Sequence, residues 1–266
     1  MTNAGQTQAS ADTPPALLRV ERLIIVASLV LIIALAWVYL ASFDMAAGGS
    51  GDMAGMEAMD DMAMAPLSFG LLAAMWIVMM IGMMLPSAAP MILMAARIGK
   101  AKAEGGGPAF ATAMFVLGYG LAWTGFSLIA AAAQVGLQEG MLSGDWAIRH
   151  GSIAGGVLLA AGFYQWTPLK RVCLAKCRSP VGFFFSHWRP GALGALGMGA
   201  RHGLFCLGCC WLLMALLFVA GVMALPWVAA LAGLVLLEKL APRGEWIARL
   251  GGVAMIGAGI YIIIAG

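Results

Sequence analysis

The chain's five cysteines fall in two tight groups, Cys173-x3-Cys177 and Cys206-x2-Cys209-Cys210, with His202 one helical turn before the second. On a helix, His202, Cys206, Cys209 and Cys210 share an arc of about 100°. Cys206 to Cys210 spans roughly 6 Å of rise and His202 to Cys209 about 10 Å. One ion on a straight helix does not take both ends, so either glycines bend the backbone or two stops stand in series. Cys173 and Cys177, at i and i+4, face the same way if their segment is helical. Lys170, Arg171, Lys176 and Arg178 lie nearby and are expected to lower the thiol pKa values and favour thiolates.

Methionine supplies a second soft donor. Of the twenty methionines, six lie in residues 45–64 and seven in residues 75–94. Met75, Met79 and Met83 repeat at i, i+4 and i+8, a ladder down one helix face, with Met80 and Met84 beside it. Pro86 follows and should kink or end that helix. Thiolate and thioether together favour Cu(I). Each residue alone has a plainer use, cysteine as a small apolar filler and methionine as flexible packing. The density of cysteine favours metal or redox chemistry over filler, while for the span-two methionines ligation and packing stay equally open. A structural zinc site stays open as the alternative; the odd fifth cysteine and the methionine excess favour copper. No Cys-x2-Cys lies in a thioredoxin-like βαβ setting.

The elements that must position these residues are membrane helices. Hydrophobic residues make up 62% of the 266 and charged residues 10%, against about 25% charged in an ordinary soluble domain. Several apolar runs reach the roughly 18 residues needed to cross a bilayer core. The expected fold is all-α, a polytopic transmembrane bundle of seven spans near 22–41, 67–86, 109–135, 150–166, 192–223, 226–239 and 247–265. The fifth is long for one crossing, which suggests that residues 191–203 lie at the interface. Residues 1–21 form a polar, unstructured tail without the basic start and cleavage site of a signal peptide, so 23–40 reads as a retained first span. The membrane domain is 22–266. Thirteen of the fifteen basic residues lie before span one and between spans two and three, four and five, and six and seven. That asymmetry predicts the N-terminus inside and the C-terminus outside.

The loop 42–66 is then external. It carries Asp44, Asp52, Glu57, Asp60 and Asp61 among its methionines and no basic residue. Its composition is that of a disordered segment that orders on binding. Thioethers bind Cu(I) without a low pKa and so work where thiols would oxidise. Methionines outside and down span two, then cysteines and a histidine inside, would give an affinity gradient for inward transfer.

The chain resembles a bacterial family of predicted metal-binding integral membrane proteins, a domain of unknown function for which the label copper chaperone is in use. One block is Met75-Trp76-x2-Met79-Met80-x2-Met83-Met84-x-Pro86. Another is Gly162-x-Tyr164-Gln165-x2-Pro168-Leu169-Lys170-x2-Cys173-x3-Cys177-Arg178-Ser179-Pro180. A third is His202-Gly203-x2-Cys206-x-Gly208-Cys209-Cys210-Trp211, leading into Leu217-Phe218 and Gly221-Val222-Met223, and Glu238-Lys239 closes the set. Where many relatives have Asn after the Met of the Gly-Val-Met block, this chain has Ala224. The resemblance implies a membrane fold and metal binding.

The expected function is binding of Cu(I) by Cys173, Cys177, His202, Cys206, Cys209 and Cys210, with Met75, Met79, Met80, Met83 and Met84 along the way, for copper transfer, uptake or delivery. The setting is the bacterial inner membrane. Expected partners are the lipid bilayer, the metal ion, and a copper-dependent membrane enzyme or periplasmic metallochaperone. The net charge of +3 is too small to suggest nucleic acid, and none is expected as a partner. No P-loop and no Ser/His/Asp arrangement is present, so an enzyme is not expected. The alternatives are an accessory subunit with a structural metal and a thiol redox membrane protein. His150 and His187 are read as uninvolved, and Glu238 beside Lys239 as an interfacial pair.

Overall fold

A computed structural model describes residues 15–48, 69–101, 107–138, 148, 150–222 and 224–265. Among them the structure is helical: α1 (Pro15–Gly48), α2 (Phe69–Ala101), α3 (Gly107–Gln138), α4 (Gly151–Tyr164), α5 (Pro168–Arg178), α6 (Pro180–His187), α7 (Gly191–Ala215), α8 (Leu217–Ala220), α9 (Leu225–Leu240) and α10 (Gly244–Ala265). Five stretches are long and apolar enough to cross a membrane: Arg22–Ser42, Phe69–Ile98, Ala109–Leu137, Gly191–Ala220 and Gly244–Ala265. They suggest a multi-pass membrane protein. The expected fourth and sixth spans are short helices of 14 and 16 residues. The methionine-rich loop 42–66 lies largely outside the described residues.

Two boundaries differ from the sequence reading. α1 begins at Pro15, inside the stretch expected to be an unstructured tail. Proline is tolerated in a first helical turn, where its missing N–H has no partner to lose. α2 runs on through Pro86 and Pro90 rather than ending at the first. Membrane helices accept such prolines when neighbouring groups serve the backbone they disturb. Between the two prolines' disturbed carbonyls, those of Gly82 and Pro86, the Met84 carbonyl accepts from Ser87 Oγ at 2.8 Å and lies 3.3 Å from the Tyr119 hydroxyl of α3.

Small residues set the closest helix crossings. A Cβ on Gly118 would strike the Leu196 carbonyl, and one on Gly199 would strike the Phe115 carbonyl. α3 and α7 therefore touch backbone to backbone, with Ala195, Met198 and His202 buried in the seam. Residues 191–203, expected at the interface, are the first half of this continuous helix and pack on α3. On the other side, Cβ atoms on Gly155 and Gly259 would each sit 2.8 Å from the other residue's carbonyl, and Gly162 pairs likewise with Gly252. The order of those pairs makes α4 and α10 antiparallel. α2 and α3 are antiparallel too, since Trp76 Nε1 donates to Gln134 Oε1 at 2.6 Å while Met84 meets Tyr119.

The surface is the reverse of a soluble protein's. Ile129, Ile264, Phe185 and Leu193 are each more than 70% exposed, while Gln134, Gln165, Lys170, His202, Glu238 and Lys239 are buried. An apolar exterior around a core that holds a few polar and charged groups suits a lipid surround.

Candidate metal centre

α7 presents His202, Cys206, Cys209 and Cys210 on one buried face, as the helical spacing predicts. α5 is helical, with Thr167 as its N-cap accepting from the Lys170 backbone N–H at 3.3 Å and Pro168 in its first turn. It packs along α7. That docking separates the two thiols of the Cys-x3-Cys pair. Cys173 sits against Gly208, where a Cβ would come within 2.7 Å of its sulfur. Cys177, half-buried as a residue, lies with its thiol beside those of Cys206 and Cys209. The two groups, far apart in the chain, thus meet as one cluster of Cys177, Cys206, Cys209 and Cys210. None of the five cysteines is in a disulfide.

Cys206 is the hub. Its sulfur accepts from Lys239 Nζ at 2.8 Å and lies 3.2 Å from the Tyr119 hydroxyl. Lys239 also donates to Ser87 Oγ at 3.0 Å. The phenol carries one proton, so it can donate either to Cys206 or to the Met84 carbonyl. The foot of the methionine ladder thereby joins the thiol cluster through Tyr119. Met75, Met79, Met80, Met83 and Met84 are all buried in the core. His202 stacks on Tyr119 at 5.6 Å, and its Nδ1 has no hydrogen-bond partner.

Among the described residues, no group of three or more His, Cys, Asp or Glu side chains forms a ready metal-ligating set. The reason lies in where two of the thiols point. Cys209 and Cys210 each donate to the Cys206 carbonyl at 3.0 Å, bonds that hold them along their own helix. In this arrangement the sulfurs are neighbours that do not converge on one point.

Two expectations from local charge are corrected. The basic residues around Cys173 and Cys177 do not lower these thiols. Burial pushes the Cys173 thiol up, and Cys209 adds to it. The proton of Cys177, directed at the sulfurs of Cys206 and Cys209, and burial hold its thiol well above the usual range. The neighbouring cations are engaged elsewhere: Lys170 pairs with Glu238 at 2.7 Å, and Arg178 donates to the carbonyls of Ala241 and Pro242. Glu238 and Lys239 are likewise no interfacial pair, because both are buried and they reach opposite ways, to Lys170 and to Cys206. His150 is exposed, and His187 stacks on Phe183 at 5.0 Å.

A family model described as Copper chaperone matches residues 73–262. The chain belongs to the copper chaperone family. The matched span holds every cysteine, His202, the span-two methionines and Lys239, and leaves out the 42–66 loop. No curated protein and no solved structure matches the chain. Lys239, Tyr119 and Ser87 are not legible from the spacing of soft ligands, because none is one. The signal that points to Lys239 is a charged residue in an otherwise apolar helix, which marks a functional position by default.

Proposed function

We propose that this copper chaperone is an integral inner-membrane protein that binds Cu(I) as cargo and transfers it between the two sides or to a partner. The observation that carries the reading is the environment of Cys206. A buried ammonium needs an anionic partner, and the one carboxylate beside Lys239 in sequence, Glu238, is already paired with Lys170. Lys239 is directed instead at a sulfur. That pairing is an ammonium holding a thiolate, the form of cysteine that binds metal. When Cys209 and Cys210 lose their protons they can no longer donate to the Cys206 carbonyl. Their sulfurs are then free to rotate towards the same ion as Cys206 and Cys177.

In this reading Met75, Met79 and Met83 pass the ion along α2 to Met84 and Tyr119, beside Cys206. Met75 to Met84 covers about 13 Å of helix rise. Methionines of the 42–66 loop capture the ion first. The reading takes seven crossings with the N-terminus inside, which puts the 42–66 loop outside and makes the direction inward. The antiparallel α2–α3 and α4–α10 pairs have the relative directions that alternate crossings require.

Titration of purified protein with Cu(I) against a competing chromophoric chelator tests this. Wild type should hold about one Cu(I) tightly, and C206S/C209S/C210S should lose at least about 2.8 kcal/mol of binding, a hundredfold in Kd. Equal affinity in the two proteins would refute the site.

A further inference from the structure

The thiol cluster is built from two elements, and the second of them, α5, is a helix of 11 residues. Its seat is fixed at both ends onto α9. Near its start, Lys170 Nζ meets Glu238 Oε2 at 2.7 Å, with both side chains 1% exposed. Gln165, just before the helix, donates from Nε2 to Glu238 Oε1 at 3.0 Å. At its end, Arg178 donates to the carbonyls of Ala241 and Pro242, just past the last turn of α9. None of these four side chains is a soft ligand, and copper binding as proposed above makes no use of them.

A buried ion pair is a costly way to hold a helix in place. Both charges lose their hydration, and apolar contact of the same volume serves stability as well or better. What the pair adds is direction, because an ammonium and a carboxylate in an apolar interior satisfy each other in one seating and in few others. Glu238 and Lys239 are consecutive on α9. Glu238 reaches α5, which carries Cys177, while Lys239 reaches Cys206. One stretch of α9 therefore indexes both halves of the cluster.

We propose that the Lys170–Glu238 pair, with Gln165 and Arg178, is a latch that seats α5 and so positions Cys177 as the fourth sulfur of the centre. The proposal rests on reading the cluster as a Cu(I) site. These are positioning residues, since none touches the ion and all act through Cys177.

The test uses full-length protein in detergent with two readouts. The first is the rate of N-ethylmaleimide labelling of each cysteine in metal-free protein, followed by peptide mass spectrometry. The second is Cu(I) affinity by chelator competition. In E238Q, Cys177 should label about tenfold faster than in wild type while Cys206 stays protected, and Cu(I) affinity should fall to the level of C177S. The double variant E238Q/C177S should bind no more weakly than C177S alone, the non-additivity expected of residues acting through one group. The swap K170E/E238K should restore both readouts.

Unchanged labelling of Cys177, or losses in E238Q and C177S that simply add, would overturn the latch. If E238Q does not give monodisperse protein, R178Q at the other end of the helix is read in the same way. A wild type that binds no Cu(I) would sink the copper reading, while the labelling rates would still decide whether α5 is latched.

Discussion

The Cys206 sulfur is approached by an ammonium and a phenol at once, whereas the thiols of Cys209 and Cys210 are directed back at a carbonyl of their own helix. The three thus differ in how ready they are to bind a soft cation. C206S should weaken Cu(I) binding by about 1.4 kcal/mol or more, tenfold in Kd, and should do so more than C209S or C210S in the same chelator competition. A smaller effect for C206S than for either neighbour would contradict that ranking. The buried pair at Lys170 and Glu238 makes a stability prediction. K170M strands a carboxylate in the interior and should cost about 3–5 kcal/mol, and K170M/E238L should recover most of it. Thermal unfolding in detergent measures both. Helical spacing alone gave the shared face of His202, Cys206, Cys209 and Cys210. The joining of Cys177 to that face was not legible, because it depends on how α5 docks, and the contacts that dock it (Glu238 and the carbonyls past α9) lie about sixty residues further along the chain.

At the level of helices, the closest crossing is also the most exposed to single changes. Gly199 faces the Phe115 backbone with no room for a methyl group, while Gly197, on the same helix, has open space. Gly199→Ala should therefore part α3 from α7 at a cost of about 1–3 kcal/mol. Gly197→Ala should be neutral or slightly stabilising, as replacing glycine in a helix usually is. Differential scanning fluorimetry of the two variants checks this, and equal melting temperatures would show that the crossing is looser than described. The apolar runs made the long helices plain in the sequence. The continuation of α2 through Pro86 was not, because a proline in a membrane helix reads equally as a stop or as a tolerated interruption until its surroundings are known. The same holds for residues 191–203: their glycines read equally as an interfacial turn or a packing seam until the partner helix is known.

For the molecule as a whole, many large apolar side chains face out, while three charged ones (Lys170, Glu238 and Lys239) and most of the described sulfur-bearing ones lie inside. The chain was legible as a membrane bundle for that reason, since composition and run length report on the solvent a fold is built for. The methionines of the 42–66 loop belong to the same scale, because capture and holding are separate duties. Replacing the loop methionines with leucine should slow copper accumulation by cells or vesicles while leaving the affinity of the purified thiol site unchanged. Unchanged accumulation would remove the loop from the account. The central claim is that the sulfurs of α5 and α7 hold one copper ion together. Copper K-edge X-ray absorption of the Cu(I)-loaded protein measures it most directly. The account predicts a Cu(I) edge with a first shell of sulfur that loses scatterers in C177S and again in C206S; a shell of nitrogen and oxygen, unchanged in both variants, would contradict it.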